Sequence, residues 1–453
     1  MPSIEFWGGV GVIGSSKVLI RDGEHRVLLD LGLDIPFGGD LLRGPGAPRP
    51  GRGLADRLAL GAAPRIPGLF APEALEGVRG LDGPAAFDRQ GRLAEPAGPT
   101  AVFVTHPHID HIGLTGFVRE EIPVHTSPDT ARLMRALNAA GEGLEGGDPQ
   151  WVEVPQGEKV AFGPIEVERV PVDHDVPGAS GYLVRTGDGT LAFTGDFRFH
   201  GYHPELSWAF AERAAGCDVL VTEGTTLSWD EYRPLRTEEH VEADFARLVA
   251  STADLLLCAV YPRDVERVER FQGIAAAAGR TIVWPERTAA FLKHMGVEGV
   301  VATGEIGLEG LRAAPGSYIV QFDADRFTDL LDLPIGPGTV FIHANGEPLG
   351  PFEPRWDLFT RWLDRLEVKL ERIGCSGHAY QDDLHEMVHR VGPKVLVPIH
   401  TFSPYRVHPV GSTARLVVEY AEAYDFAGRP VAPKAQTAPT AQTAQTARAA
   451  AGA

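Results

Sequence analysis

From Thr105 the chain reads Thr-His-Pro-His-Ile-Asp-His, which puts three imidazoles and one carboxylate within the six residues His106–His111. They follow directly on the apolar run Val102-Phe-Val. Neutral imidazoles and carboxylates are the donors that borderline divalent ions such as zinc favour. Across an extended turn His106 and His108 can face one ion, while Asp110 and His111 can face a second beside it. Two further donors follow in chain order: His174 in Asp-His-Asp-Val-Pro-Gly and Asp196 in Thr-Gly-Asp-Phe. A lone histidine is ordinarily a surface or satisfied core residue, so His174 carries nothing by itself. The clustered donors carry the argument.

Strand-like elements must deliver these groups to one place. Five apolar runs each end in Asp, Glu or His: Arg26–Asp30, Val102–His106, Leu191–Asp196, Val219–Glu223 and Val395–His400. Short apolar runs bounded by Gly or Pro read as buried strands, and layered α/β folds gather ligands beyond strand ends. Convergence on one site is therefore expected, against the alternative of polar residues falling at strand ends by chance. Ser127-Pro128-Asp129 reads as a helix start, and residues 238–253 and 264–278 read as helices. Residues 35–98 are rich in Gly and Pro and hold eight arginines, Arg43, Arg49, Arg52, Arg57, Arg65, Arg79, Arg89 and Arg92. This stretch reads as a partly ordered insertion, either a lid beside the site or surface decoration.

A chain of 453 residues is too long for one small core and implies two structural units. Its 43% hydrophobic and 23% charged content is that of a globular protein, and no apolar run reaches a membrane span. The opening residues MPSIEFWGGVGVIG lack a basic stretch and a cleavage site, so no signal peptide is expected. Three scattered cysteines, Cys217, Cys258 and Cys375, argue against disulfides and Cys-based zinc and for a reducing cytoplasm. The net charge of −19 disfavours indiscriminate binding to phosphate backbones. A metal cluster can nevertheless supply local positive charge inside an acidic protein. Residues 432–453 are low-complexity Ala, Thr and Gln, and are expected to be disordered.

With these motifs in hand, the chain resembles the metallo-β-lactamase superfamily. Asp30 in LLDLG, the THPHIDH run, His174 and Asp196 match its first four motifs. The resemblance implies an αββα sandwich of α/β class, with His106, His108 and His174 on one metal, Asp110 and His111 on the other, and Asp196 bridging. Asp30 would support them from behind. A long stretch then precedes Cys375-Ser376-Gly377-His378-Ala379 and Pro398-Ile-His400, which resembles the nucleic-acid-processing β-CASP group, and within it the ribonuclease J subgroup. Glu223 and His378 then fit that group's acid and histidine, and His400 completes the second metal's ligands. The domains implied are a core over 1–223 and 371–430, an inserted α/β cap over 224–370, and a tail over 431–453.

The activity implied is hydrolysis of phosphodiester bonds in single-stranded RNA, with two divalent metal ions, zinc or manganese, as cofactors. Asp110, Glu223 and His378 would be the catalytic residues, and Ser376 and Gly377 would cradle phosphate. Single-stranded RNA is the expected partner, a homodimer the expected assembly if any, and no membrane is involved. Arg263, Arg267 and Arg270 recur at helical spacing and could track the strand, although the interleaved Glu266 and Glu269 suit a plain solvated face. Ile109, not an acid, stands between the second and third donors, which argues against the diiron flavoproteins of the superfamily. Three departures from the ribonuclease J subgroup stand out: no Gly-Ser-Gln-Gly-Glu-Pro segment stands near 316–327 (GSYIVQFDADRF), Pro262-Arg263-Asp264 replaces an expected Asn, and no folded domain is expected after residue 430. The competing readings are a small-molecule hydrolase of lactones, thioesters or cyclic phosphodiesters, a DNA-processing nuclease, and a non-catalytic scaffold. Every ligand position is filled, which speaks against the scaffold.

Overall fold

A computed structural model describes residues 1–34, 42, 46–79, 81, 98–230, 234–353 and 355–431. The low-complexity tail from 432 and parts of the 35–98 insertion, with Arg43, Arg89 and Arg92, lie outside the described residues.

The core is two seven-stranded sheets stacked face to face. The first runs in the order Ala423–Tyr424, Ser3–Phe6, Val18–Asp22, His25–Leu29, Thr100–Phe103, Val124–Thr126, Trp151–Glu153. The second runs Ala414–Arg415, Val395–Ile399, Val219–Glu223, Thr190–Phe193, Ser180–Arg185, Ile165–Pro171, Lys159–Phe162. Strand alternation sorts the side chains. Val27, Leu29, Ala101 and Phe103 of the first sheet meet Val219, Val221, Val395 and Val397 of the second in one buried layer. The residues between them turn outward: Leu28 and Val102 toward the helix Pro128–Ala139, and Leu220 and Leu396 toward the helices Pro204–Arg213 and Gln381–Val391. This is the αββα sandwich.

A third sheet builds the cap. Its six strands are all parallel, in the order Val301–Ala302, Thr281–Trp284, Tyr318–Gln321, Leu256–Val260, Val340–Ala344, Lys369–Arg372. The last of these crosses the domain boundary expected at 370/371. The helix Val265–Ala277 lies on the helix Glu238–Ser251, with Phe245 and Phe271 stacked at 3.8 Å. Cap and core share one apolar cluster, in which Leu133 and Leu137 join Phe291 and Leu292.

The described part of the arginine-rich insertion is more than surface decoration. It forms the helix Gly53–Leu60 and a 3-10 turn at Pro72–Leu75, and sends Leu54, Leu58, Ile66, Leu69, Phe70 and Leu75 into that same cluster. Among the described residues no helix is long and apolar enough to cross a membrane.

Candidate metal centre

The strands end where the donors begin. Asp30 follows His25–Leu29 directly, His400 follows Val395–Ile399, and Glu223 is the last residue of Val219–Glu223. At two of these ends the chain leaves the extended conformation through a left-handed backbone, with φ of 59° at Asp30 and 54° at His400. Such strained residues concentrate at functional sites. His106 and Asp196 stand three residues beyond the strands Thr100–Phe103 and Thr190–Phe193. The short helix Ile109–Ile112 then turns Asp110 and His111 back over the sheet.

Two groups of donors result, sharing Asp196. In the first, His106 Nε2 and His174 Nε2 lie 3.1 and 3.2 Å from His108 Nδ1, with Asp196 alongside. In the second, His111 Nε2 is 3.2 Å from Asp196 Oδ2 and 3.3 Å from His400 Nε2. His400 Nε2 is in turn 3.1 Å from Asp110 Oδ2.

In four of the five rings the nitrogen that faces away from the centre is held by a partner. Thr105 Oγ1 is 2.9 Å from His106 Nδ1, and Thr225 Oγ1 is 2.8 Å from His400 Nδ1. His111 Nδ1–H donates to Asp30 at 2.7 Å, and His174 Nδ1–H donates to the Gly377 carbonyl at 2.6 Å. Asp30 also accepts the Thr105 N–H and O–H. Outer partners of this kind fix the tautomer and aim the inner nitrogen. Bare ring nitrogens converging on buried carboxylates fit a divalent cation, and an imidazole–carboxylate set fits zinc or manganese.

Charge follows geometry. Burial pushes the His106 imidazole well below its ordinary value, with His111 and His108 adding to the effect. Burial likewise brings His174 down to about 4. Burial opposes ionisation of Asp196, but His400 and His111 outweigh it and hold the carboxyl well below the usual range. In the first group, neutral imidazoles beside an ionised carboxylate are the protonation states that metal binding requires. Burial of His111, by contrast, is outweighed by Asp196, Asp110 and Asp30, which raise it well above its ordinary value, so a cation there would displace its proton.

His378 reaches this centre on the chain returning from the cap. Its Nδ1 stands 3.1 Å from Glu223 Oε2 and 3.6 Å from Asp196 Oδ2. Burial disfavours its charged form, yet Glu223 and Asp196 outweigh burial and lift it to about 10. Glu223 is itself held by the Thr225 N–H at 3.2 Å. The Ser376 hydroxyl oxygen accepts the His378 N–H at 3.0 Å. Gly377 has no room for a side chain, since a Cβ there would lie 2.5 Å from Asp175 Oδ2.

Arg267 corrects the expected stripe of arginines. Arg263 stands before the helix Val265–Ala277, whose cap is Asp264, and the start of that helix packs Arg267 against Glu238. Arg267 is 1% exposed, and its guanidinium is paired with Glu238 at 2.5 and 2.9 Å and with Asp264 at 3.2 Å. Arg198, also 1% exposed, meets the same Glu238 at 2.6 Å. Arg267 is thus part of a buried charge cluster and cannot touch a substrate. Arg270 is exposed, engaged with Glu266 at 3.3 Å and lying over the Tyr202 ring. Only Arg263 reaches the centre, half-buried, with Nη1 3.4 Å from the Pro107 carbonyl.

Sequence reading missed four groups. Asp175 lies 3.4 Å from His108 Nε2 and 3.3 Å from His174 Nε2, and its place beside His174 was a usable signal. Tyr261, at the end of the first cap strand, faces the His108 ring at 5.6 Å. The Gly-Glu-Pro sought near 316–327 stands instead at Gly346-Glu347-Pro348, after the strand Val340–Ala344, and the Asn345 before it accepts from Arg267 at 3.3 Å. His200, four residues after Asp196, holds the Ser376 carbonyl at 2.8 Å.

Residues 73–303, just over half of the chain, match the beta-lactamase superfamily domain. The chain belongs to that superfamily. Residues 365–402, which carry His378 and His400, match a second family described as a Zn-dependent metallo-hydrolase RNA specificity domain. Ribonuclease J of Sinorhizobium meliloti is 24% identical over 335 residues, covering 66% of this chain and 57% of that protein. Ribonuclease J of Mycobacterium tuberculosis is 30% identical over 332 residues, covering 66% of this chain and 58% of that protein. The chain thus spans less than three fifths of the length of these relatives. A crystal structure of a protein of unknown function from Enterococcus faecalis V583 superposes with a TM-score of 0.77 at 26% identity, covering 93% of this chain and 99% of that one.

Proposed function

We propose that this chain hydrolyses phosphodiester bonds in single-stranded RNA, using two divalent metal ions, zinc or manganese. The observation that carries the reading is the His378–Glu223 pair, 3.1 Å apart and 3.6 Å from the shared Asp196, brought in by the segment similar to an RNA specificity domain. The relatives named ribonuclease J point the same way.

His106, His108 and His174 would hold one ion, Asp110, His111 and His400 the other, with Asp196 between. Bound cations supply positive charge to the phosphoryl oxygens and acidify water. The protein's own groups do the rest. His378 turns Nδ1 to Glu223, which keeps it protonated and leaves Nε2 for the substrate. It acts as the general acid toward the leaving 3′-oxygen, and Glu223 fixes its ring. Arg263, beside the Pro107 carbonyl, offers a guanidinium to a backbone phosphate. A reducing, cytoplasmic setting suits Cys217, Cys258 and Cys375, all buried and free.

The test uses end-labelled single-stranded RNA with a 5′-monophosphate or a 5′-triphosphate, and DNA of the same sequence. Cleavage of RNA that is lost in both His378→Ala and Asp110→Ala supports the reading. Intact RNA with both metals bound sinks it and turns the search to small phosphodiesters and esters. Elemental analysis identifies the metal and its stoichiometry, and light scattering on the same samples distinguishes monomer from homodimer.

A further inference from the structure

Two core histidines grip successive carbonyls of the loop that carries His378. His174 Nδ1–H donates to the Gly377 carbonyl at 2.6 Å, and His200 Nε2–H donates to the Ser376 carbonyl at 2.8 Å. His174 belongs to the metal centre. His200 does not: it is 3% exposed, and its Nδ1 meets no hydrogen-bond partner among the described residues. Its ring also packs on Tyr380, centroids 4.4 Å apart. The Tyr380 hydroxyl in turn accepts the Arg236 N–H at 3.2 Å. His200 therefore touches the loop two residues before His378 and two residues after it. Burial brings its imidazole down to about 4, so the ring is neutral, and its single proton sits where the carbonyl takes it. Its own carbonyl accepts the Glu238 N–H at 3.1 Å, which ties it to the first cap helix. Its Nε2 is committed to the carbonyl and its bare Nδ1 is sealed from solvent, so the ring meets no ligand from outside. What it can do is hold a loop.

We propose that His200 is a positioning residue that sets the place of His378 over the metal centre by clamping the loop on both sides of it. The proposal rests on the reading of His378 as the acid of phosphodiester hydrolysis. A donor that fixes a reacting group lowers turnover when removed, without changing substrate affinity.

Two variants separate the two contacts. His200→Phe keeps a ring against Tyr380 and loses the donor, while His200→Gln keeps a donor and loses the ring. With wild-type metal content in both, kcat for RNA should fall about tenfold to a hundredfold in His200→Phe with KM unchanged. His200→Gln should recover most of that loss. A His200→Phe enzyme with wild-type kcat overturns the proposal. So do equal losses in both variants, or losses matched by lost metal. Hydrogen exchange over residues 374–381 gives a readout that needs no activity: faster exchange in His200→Phe supports the clamp, and unchanged protection overturns it. If the wild-type protein binds its metals and cuts no RNA, the RNA reading fails, while the exchange measurement still judges the clamp.

Discussion

Glu238 begins the helix Glu238–Ser251, and its carboxylate touches both Arg198 and Arg267, at 2.6 and 2.5 Å. All three side chains are 1% exposed. Arg198 stands two residues beyond Asp196, and Arg267 belongs to the cap, so this carboxylate ties cap to core behind the metal centre. Changing Glu238→Gln keeps the shape and removes the charge, leaving Arg267 with Asp264 at 3.2 Å and Arg198 with Asp173 at 3.6 Å but without the carboxylate that the two share. Breaking a buried pair by removing one partner costs about 3–5 kcal/mol. A second route gives the same scale. Burial opposes ionisation of Glu238, but Arg267 and Arg198 outweigh it and carry the carboxyl from 4.5 to about 2. At about 1.4 kcal/mol per pH unit, that displacement is worth about 3 kcal/mol.

The sign follows from linkage. A carboxyl whose folded pKa is depressed contributes its stability above the unfolded value of 4.5, and loses it as pH falls toward about 2. Urea unfolding of the metal-depleted chain, read by tryptophan fluorescence, should show Glu238→Gln less stable than wild type by about 3 kcal/mol at pH 7. The gap should stay near that value at pH 6 and have lost more than half by about pH 3. Removing metal beforehand keeps ligand protonation from supplying the same pH dependence. A gap below about 1 kcal/mol at pH 7, or one that does not change with pH, would refute the reasoning, because a neutral amide would then serve two buried cations as well as a carboxylate.

Asp30→Asn puts an amide where three donors converge, so metal affinity should drop about tenfold to a hundredfold in a chelator competition, and unchanged affinity would sink the assigned role. A Cβ at Gly32 would stand 1.6 Å from the Asp110 carbonyl oxygen, a backbone atom with nowhere to go. Gly32→Ala should therefore cost about 3 kcal/mol or more and lose the metal held by Asp110 and His111; a wild-type melting curve would contradict it. Arg263→Ala should leave the melting temperature alone, weaken RNA binding and reduce the salt slope by about 0.7. Arg267→Ala should instead lose about 3–5 kcal/mol of stability, and the opposite ranking of the two variants would return Arg267 to the residues that could track a strand.

What could be read from the chain was what strand and helix periodicity write locally. Val219–Leu220–Val221 and Val395–Leu396–Val397 show buried strands because both faces of the second sheet are covered, by the first sheet and by helices. His106, His108, Asp110 and His111 announce a metal site because one ion needs several donors close together. Arg267 was misread because helical spacing says which residues share a face, never what packs on it, and its partner Glu238 comes from another helix. The packing of residues 46–79 was hidden because their Gly and Pro content masks Leu54, Leu58, Ile66, Leu69 and Phe70, which reach the main core without a regular period. His200 was invisible for a deeper reason. Its partner is the Ser376 carbonyl, 176 positions away, an atom that every residue type carries alike. Side-chain patterns report which atoms can hold a cation; the groups that aim those side chains, such as Asp30 for His111, Thr225 for His400 and the Gly377 carbonyl for His174, lie far away in the chain, and only the folded backbone places them.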